Sequence, residues 1–442
     1  MSLFLIACAM FIIGVRGGFQ LKPIKPIDAG ILSNTQNSIL ILNSPFCFVH
    51  TINQESVKEH LYFDEQELDL IYNSTHHFKD NIFNKKNIVI IILESFSKEF
   101  IGYHNNGNGY TPFLDSLMEN AMVMKNAYSN GIKSIEALPA ITASLPTLMN
   151  DPFITSPYGA NQYESIASIL EEEGFSSSFF HGGSKGTMGF YQFSIKSKFS
   201  KYFGMEEYNN KDDFDGTWGI YDIPFFNYFS DYLSKEQEPF VSCFFSLSSH
   251  PPYNLPKEYK DALPNGTLDI HKTIYYTDLA LRHFFKSAKK ESWYKNTLFV
   301  ITADHTSPET NKKRSNKIDR YSIPMIYLLG DNTLQGKSEI ITQQIDVMPT
   351  ILDIIGYNKK FFSFGKSSLQ NESWAISFIN NEYLLIHEEG FLIGRDESYT
   401  NFSDINMERK STDNKEAVQL LKAIKQKYNN SLIRNKIIIN EN

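Results

Sequence analysis

One stretch of the sequence decides the fold: Asn87-Ile-Val-Ile-Ile-Ile-Leu-Glu94. Its unbroken aliphatic run, rich in β-branched residues, is typical of a strand buried on both faces, as in a parallel sheet. Similar short runs recur at residues 176–180, 240–247, 297–302 and 324–329. Helical patterns lie between them, at residues 111–121, 163–173 and 271–290. This alternation predicts an α/β sandwich with a mostly parallel central sheet flanked by helices.

The remaining segments are arranged around this core. Residues 3–15 are nearly all apolar but fewer than the roughly 20 that cross a bilayer, so we expect 1–18 to be a membrane-helix remnant or anchor, with a buried element as the alternative. Residues 19–86 read as a connector with one or two helices. The main domain is predicted over 87–356. Residues 357–442 complete it with a β-hairpin around Glu388-Glu389-Gly390 and a helical tail.

The composition excludes several classes of protein. With 442 residues, 42% of them hydrophobic, the chain can bury one large core and is not disordered. A net charge of −8 without a basic block argues against nucleic-acid binding. Cys8, Cys47 and Cys243 lie far apart in the sequence, which argues against a disulfide framework and against a zinc–thiolate site.

Reactive side chains follow the predicted strands directly. Glu94 ends the first strand, and the strand over residues 297–302 runs into Ala303-Asp304-His305. Ligands collect beyond the carboxyl ends of parallel strands. Two carboxylates and an imidazole are donors that Zn²⁺ and Mn²⁺ accept. The sequence therefore predicts a metal site at this edge.

Two further stretches add a hydroxyl and a second imidazole. In Asn130-Gly-Ile-Lys-Ser134-Ile-Glu, a glycine turn precedes a serine that opens a helix, whose free N–H groups suit a phosphate. In Phe245-Ser-Leu-Ser-Ser-His250-Pro-Pro, a strand again ends in a histidine held on a loop. Taken alone, such a serine is usually a helix cap and such a histidine a surface residue, so their shared location at strand ends carries the prediction.

The order of these motifs resembles the alkaline phosphatase/sulfatase superfamily, and within it the lipoteichoic acid synthase branch of phosphoglycerol transferases, close to phosphoethanolamine transferases. The resemblance covers roughly residues 87–356. It is strengthened by Thr111-Pro-Phe-Leu-Asp115, Phe180-His-Gly-Gly183, Gly216-Thr-Trp-Gly-Ile-Tyr-Asp222 and Gln344-Ile-Asp-Val-Met-Pro-Thr-Ile-Leu352.

The resemblance implies a role for each matching residue. It implies one divalent metal ion, Mn²⁺ or Zn²⁺ with Mg²⁺ as a further possibility. The ion would be held by Glu94, Ser134, Asp304 and His305, with Ser134 as the nucleophile. It places His250, His181 and Lys185 at the substrate and gives Trp218 and Asp222 a structural role.

Three departures from the family pattern bear on the substrate. The family nucleophile is typically threonine, and the hydroxyl of Ser134 is chemically equivalent. Sulfatases need x-Pro-x-Arg after the nucleophile, whereas Ile135-Glu-Ala-Leu138 follows here, which disfavours sulfate ester hydrolysis. Glycerol-phosphate transferases carry a tryptophan and an arginine soon after the His-Gly pair. Here Lys185 is the only cation in that stretch.

The resemblance implies transfer of a phosphoglycerol or phosphoethanolamine group from a membrane phospholipid to an envelope glycan or lipid. A phospho-serine would be the intermediate. The enzyme would be a monomer at the cell membrane with its catalytic domain on the extracytoplasmic side, and it would not bind nucleic acid. Two alternatives stay open: a phosphodiesterase or sulfatase-like hydrolase with the same metal site, and a non-catalytic protein that binds an envelope glycan.

Overall fold

A central eight-stranded sheet organises the molecule. The computed structural model describes residues 2–18, 24, 42–52, 55–79, 82–310, 318–411 and 414–439. The strands of the large sheet are β2 (Asn87–Leu93), β3 (Met122–Tyr128), β4 (Ser176–His181), β5 (Lys201–Phe203), β6 (Phe240–Phe245), β7 (Thr297–Ala303), β8 (Met325–Leu329) and β9 (Gly336–Gln343). The two-residue strands β1 (Thr75–His76) and β10 (Phe361–Phe362) pair with each other.

The large sheet confirms the predicted fold class. Its strand order is β5-β4-β6-β2-β7-β8-β3-β9. Every neighbouring pair is parallel except those of β8, which runs antiparallel to β7 and to β3. The strand quoted at the outset, β2, lies between β6 and β7, and all of its residues are buried. Its aliphatic side chains therefore pack on both faces of the sheet, as the pattern predicts.

Helices precede, separate and follow the strands of this sheet. They are α1 (Ser2–Arg16), α2 (Ser44–Thr51), α3 (Glu65–Ile71), α4 (Pro112–Met118), α5 (Ser134–Ala143), α6 (Ile166–Glu171), α7 (Phe190–Lys196), α8 (Met205–Tyr208), α9 (Asp222–Leu233), α10 (Lys257–Lys260), α11 (Ile270–Ala288), α12 (Val347–Ile354) and α13 (Lys415–Arg434). Short 3₁₀ turns occupy Lys98–Phe100, Gly102–His104, Phe153–Thr155, Pro157–Ala160, Lys211–Asp213, Tyr294–Asn296, Asp319–Tyr321 and Gln344–Asp346.

The three helices predicted from periodicity are present but shorter than their patterns. The largest difference is at α6, which begins at Ile166 although the pattern starts at residue 163. The side chain of Ser165 caps the helix by accepting a hydrogen bond from Ser168 N, so the regular helix cannot extend further back. Tyr163 instead forms a β-bridge with Ile437.

The C-terminal region is larger than the predicted hairpin. The expected turn at Glu388-Glu389 joins β12 (Glu382–His387) to β13 (Gly390–Arg395), and β11 (Trp374–Ile379) and β14 (Ser398–Phe402) extend the pair to a four-stranded antiparallel sheet. One cluster of apolar side chains from this sheet packs against the segment before α5. It includes Leu384 and Ile386, with Tyr128 and Ile132 against them.

The N-terminal segment is described in part. The helix α1 exposes large apolar side chains, among them Leu3, Phe4 and Phe11. Within the described residues, no helix combines the length and the apolar character needed to span a bilayer. Residues 19–23 and 25–41, which make up much of the predicted connector, lie outside the described residues.

The direction of the strands determines where functional side chains meet. Because β2, β3, β4, β6, β7 and β9 run in one direction, the residues that follow them emerge at one edge of the sheet. The loops at this edge begin at Glu94, Ser129, Gly182, Ser246, Asp304 and Gln344. Every motif of the sequence analysis that carries a reactive group lies on one of these loops or ends the strand before it.

Candidate metal and phosphate site

Three of the predicted metal ligands meet at the ends of two neighbouring strands. Glu94 follows β2, and Asp304 and His305 follow β7. One ligand atom of each lies within 4.8 Å of the others. The Nε2 atom of His305 is 3.1 Å from Asp304 Oδ2 and 3.7 Å from Glu94 Oε1. All three side chains are buried.

The hydroxyl of Ser134 completes this cluster. Its Oγ donates a hydrogen bond to Glu94 Oε2 at 3.1 Å and lies 3.3 Å from His305 Nε2. Ser134 is the first residue of α5, and the N-cap position belongs to Lys133. The serine side chain is therefore directed at the two ligands and not at the helix N–H groups. The helix cap considered from the sequence does not describe this geometry.

The charged groups of this cluster shift the pKa values of one another. Burial, reinforced by the negative charge of Glu94, raises the pKa of Asp304 well above its usual range. Burial acts on Glu94 in the same direction, but His305, Asp304, His250 and Ser95 together outweigh it and lower the pKa of that carboxyl. Burial disfavours the charged imidazole, yet the two carboxylates raise the pKa of His305. Two buried carboxylates thus share a single imidazole as their neutralising group.

The donor set fits a divalent cation. Asp304 Oδ2 is buried without a hydrogen-bond partner, whereas Oδ1 accepts from Ser95 N and His305 N, each at 2.7 Å. His305 Nδ1 donates to Thr306 O at 2.8 Å, so a cation can replace the proton on Nε2 while Nδ1 keeps its own. A second hydrogen bond of this kind orients metal-binding imidazoles in general. Two carboxylates, an imidazole and a hydroxyl could therefore hold one cation of the Mn²⁺, Zn²⁺ or Mg²⁺ type.

The turn before Ser134 is shaped by a glutamate inside the helix. Glu136 Oε2 accepts hydrogen bonds from Ile132 N at 2.9 Å and Lys133 N at 3.2 Å. A Cβ atom at Gly131 would lie 2.3 Å from the same oxygen. A side chain at position 131 would displace this carboxylate. The contact adds a steric reason for glycine to the turn predicted from the sequence.

The second predicted histidine lies on the neighbouring loop after β6. His250 Nδ1 donates to Pro251 O at 2.9 Å. The indole of Trp218 packs on the imidazole with ring centres 4.1 Å apart, and its Nε1 donates to the same carbonyl at 2.7 Å. Trp218 therefore orients His250 and leaves Nε2 available to a ligand.

Asp222 holds the loop that carries His250. Its buried carboxylate accepts hydrogen bonds from Leu247 N at 2.8 Å, Ser248 N at 3.2 Å and the hydroxyl of Thr277 at 2.5 Å. Burial raises the pKa of Asp222 to about 6. These contacts agree with the structural role that the resemblance implies for this residue.

His181 is the last residue of β4 and is almost fully buried. Its ring packs edge-on against Phe190 and Phe245, and its Nδ1 has no hydrogen-bond partner. Burial lowers the pKa of His181 to about 4, so the imidazole is neutral at pH 7. The unpaired nitrogen leaves one polar position open to a ligand.

Lys185 lies on the loop after β4, at the molecular surface. Its ammonium pairs with the carboxylate of Glu207 and lies 5.2 Å from the ring centre of Tyr191. The hydrogen bond to Glu207 raises the pKa of Lys185. The predicted contact between Lys185 and substrate stays a prediction, since its charge is already paired.

The serines around Glu94 were not among the predicted site residues. Ser95 has a left-handed backbone with φ 58°, and its hydroxyl donates to Glu94 Oε1 at 2.7 Å. The hydroxyl of Ser246 accepts from Glu94 N at 2.8 Å, and that of Ser249 donates to Glu94 O at 2.6 Å. The available signal was the clustering of serines next to the two strand ends, in Glu94-Ser95 and Ser246-Leu-Ser-Ser249.

A cavity of about 450 Å³ opens beside the cluster. Its lining includes Ser97, Ile132, His305, Thr306, Ser307 and Arg320. The cavity gives a small substrate access to His305. Arg320 contributes a cation here that the sequence motifs did not point to, because it belongs to none of them, although it lies in the same segment between β7 and β8 as His305.

Comparison with known proteins places this site in context. The chain matches the Sulfatase family over residues 86–357. Lipoteichoic acid synthase 1 of Bacillus subtilis is 27% identical over 416 residues, which are 87% of this chain and 63% of the relative. Lipoteichoic acid synthase of Staphylococcus saprophyticus is 28% identical over 335 residues, 68% of this chain and 50% of the relative. The chain thus spans between half and two thirds of the length of these relatives.

Solved structures share the fold. A protein in the alkaline phosphatase superfamily from Vibrio parahaemolyticus matches with a TM-score of 0.74 and 22% identity, covering 90% of this chain and 98% of that one. The lipoteichoic acid synthase LtaP from Listeria monocytogenes matches with a TM-score of 0.68 and 17% identity, covering 85% and 99%.

Proposed function

This chain belongs to the sulfatase family of the alkaline phosphatase superfamily, and on that premise we propose that it transfers a phosphoryl-linked head group through Ser134. The head group is of the phosphoglycerol or phosphoethanolamine type. The donor is a membrane phospholipid and the acceptor an envelope glycan or lipid. The similarity to lipoteichoic acid synthases over most of the chain supports this choice of reaction.

One observation carries the proposal. Ser134 Oγ lies at the start of a helix, 3.1 Å from Glu94 Oε2 and 3.3 Å from His305 Nε2, within a buried set of acidic and imidazole donors. A serine whose only role was to cap α5 would bond the helix N–H groups instead. The helix N-terminus also directs free N–H groups and a positive dipole towards a phosphate.

In this proposal Glu94, Asp304, His305 and Ser134 hold one divalent ion, Mn²⁺ or Zn²⁺, with Mg²⁺ as a further candidate. When bound, such an ion supplies positive charge that lowers the pKa of a ligating hydroxyl and offsets the two carboxylates. The buried Oδ2 of Asp304 accepts no hydrogen bond and would gain most from this charge.

Ser134 performs the covalent step. Its Oγ forms a bond to phosphorus while the bond from phosphorus to the lipid glycerol oxygen breaks, and the serine proton ends on the released lipid hydroxyl. The acceptor hydroxyl then takes the head group from the phospho-serine and leaves its own proton on Ser134. Both half-reactions use the same hydroxyl and the same buried pocket.

The two histidines bind the phosphoryl oxygens. His250 offers Nε2 to a substrate because Nδ1 is committed to Pro251 O. His181 contributes a neutral imidazole from the end of β4. Arg320 lines the cavity beside His305, and Lys185 stays a predicted substrate contact. Donors aimed at the oxygens that gain charge stabilise the transition state without rearrangement.

The location follows from donor and acceptor together. The donor head group is presented at a membrane surface and the envelope acceptor lies outside the cytoplasm, so we place the catalytic domain on the extracytoplasmic side of the cell membrane. We further propose that the enzyme is a monomer. The exposed apolar side chains of α1 are compatible with an anchor at that surface.

The test is a Ser134→Ala variant assayed with phosphatidylglycerol and phosphatidylethanolamine donors in the presence of Mn²⁺. We expect turnover to fall by at least about 10⁴-fold, the scale of losing a covalent nucleophile. Quenched wild-type enzyme should carry the phosphoryl head group on the peptide that contains Ser134. The mass of that adduct identifies the head group, and product analysis with and without a glycan acceptor separates transfer from hydrolysis.

Ser165→Ala is the matched control for this experiment. Ser165 also begins a helix, and its side chain caps α6. Its loss should cost roughly 0.5–2 kcal/mol of stability and leave turnover intact. A Ser134→Ala enzyme that behaves like Ser165→Ala, or an adduct on another residue, refutes the proposed mechanism.

A further inference from the structure

Gln344 connects two functional loops of the site through one buried side chain. Its Oε1 accepts a hydrogen bond from Asn130 N at 3.0 Å, at the start of the turn that leads to Ser134. Its Nε2 donates to Ala303 O at 2.8 Å and to Asp304 O at 2.6 Å. The side chain is fully buried, so water does not compete for these bonds.

The connection closes a ring of hydrogen bonds around the cluster. Asp304 N donates to Leu93 O at 3.1 Å, and Ser95 N donates to Asp304 Oδ1 at 2.7 Å. Ser134 Oγ in turn donates to Glu94 Oε2 at 3.1 Å. The loops after β2 and β7 are thus joined directly, and the turn that carries Ser134 is joined to the loop after β7 through Gln344.

Asn130 anchors the other side of this link. Besides donating its backbone N–H to Gln344, it uses its side chain to accept from Ile345 N at 3.0 Å and to donate to Gln343 Oε1 and Ile376 O, each at 2.8 Å. The turn before α5 is therefore held at both backbone and side chain. A shift of Gln344 would move this turn and the backbone of Asp304 together.

We propose that Gln344 is a positioning residue that sets the distance between the nucleophile and the acidic ligands of the cation. The proposal rests on the proposed function of this site. The oxygen of one carboxamide faces the nucleophile turn, and its nitrogen faces the ligand loop. A displacement of about 1 Å at a reacting group can cost about 10²-fold in rate, so a direct crosslink of this kind acts on catalysis.

A second buried glutamine shows what a purely structural role looks like. Gln426, on α13, accepts from Tyr62 N at 2.7 Å and Phe63 N at 3.0 Å, and donates to Phe63 O at 2.8 Å. Like Gln344, Gln426 makes three hydrogen bonds to backbone groups, and the residue is only 3% exposed. Its partners lie in the connector, and none belongs to the metal and phosphate site. Loss of either side chain removes three hydrogen bonds to backbone groups.

The experiment compares Gln344→Met with Gln426→Met in the full chain. Three quantities are measured: the dissociation constant for Mn²⁺ by calorimetry, kcat and KM for the phospholipid donor, and the melting temperature. We expect both variants to lose similar thermal stability. Gln344→Met should also bind Mn²⁺ about 10–100-fold more weakly, the usual cost of losing a partner of a metal ligand. Its kcat should fall with KM unchanged.

A second variant separates positioning from folding. Gln344→Glu keeps an oxygen for Asn130 N but cannot, when ionised, donate to Ala303 O and Asp304 O. It should show the same weakening of Mn²⁺ binding. If either Gln344 variant folds and matches Gln426→Met in Mn²⁺ affinity and kcat, the positioning role is refuted. If wild-type protein turns over neither phospholipid, the proposed function fails, while the Mn²⁺ affinities still decide the role of Gln344.

Discussion

Asp304 and Asp346 are both completely buried carboxylates, but they differ in the charged groups beside them. Asp346 lies beside Lys366, with Nζ 3.0 Å from Oδ2, and both of its oxygens accept further bonds from backbone N–H groups. Asp304 lies beside a second carboxylate, Glu94, and one of its oxygens has no hydrogen bond. Among the residues that the structure describes, neither Asp304 nor Glu94 forms an ion pair with a lysine or arginine.

The causes of the pKa shifts of the two aspartates differ in the same way. Burial raises the pKa of both aspartates. At Asp346 the charge of Lys366 then acts to lower it, whereas at Asp304 the charge of Glu94 raises it further. Where a buried carboxylate serves the fold, the chain supplies its own cation. Glu94 and Asp304 have only the imidazole of His305 beside them, and we propose that they bind a cation from solution.

Asp304→Asn should have the largest effect on this contrast. Removing one of the two carboxylates should abolish stable Mn²⁺ binding and reduce turnover to background. It should also raise the melting temperature of the chelator-treated protein, because the repulsion between two buried carboxylates is gone. Elemental analysis and thermal denaturation with and without chelator measure both effects. Full metal occupancy in this variant would contradict the assignment of Asp304 as a ligand.

His250→Ala tests whether His250 lies outside the cation site. The proposed ligands of the cation follow β2 and β7 or begin α5. His250 lies on the loop after β6 and belongs to our substrate contacts. Turnover should fall by about 10²–10⁴-fold, as for positioned acid–base groups, while metal content stays that of the wild type. Loss of the metal would instead make His250 a ligand.

Lys366→Met removes the internal cation from the second carboxylate. It leaves Asp346 charged and unpaired in the core, which should lower the free energy of unfolding by about 3–5 kcal/mol. The Mn²⁺ content of the folded fraction should be unchanged. Denaturant titration gives the stability, and a loss below about 1 kcal/mol would show that the ion pair does not neutralise Asp346 as we infer.

The smallest effect is expected from adding Asp346→Asn to Lys366→Met. The second substitution removes the unpaired charge, so the double variant should regain about 0.5–3 kcal/mol relative to Lys366→Met alone, within the range of coupling energies between contacting residues. The same denaturant titration measures it. A double variant less stable than the single one would mean that the hydrogen bonds of Asp346 matter more than its charge.

Much of the site could be predicted because its residues directly follow recognisable strands. The runs before Glu94, His250 and Asp304 are strongly apolar, and all three belong to parallel strands whose ends must share one edge. The strands β3 and β9 were not predicted. Both mix charged and apolar residues because they lie at or next to the edge of the sheet, where one side is solvated.

The sequence by itself determined the fold class and the candidate ligands, since both depend on local patterns: aliphatic runs for strands, and acidic, histidine and serine residues at their ends. The tertiary structure alone decided that β8 runs against its neighbours, that Asp304 Oδ2 lacks a partner, and that Gln344 joins two functional loops. The physical reason is that these features depend on contacts between distant residues. Gln344 and Asn130 are 214 positions apart, and a hydrogen bond across that distance exists only once the sheet has brought their loops to the same edge.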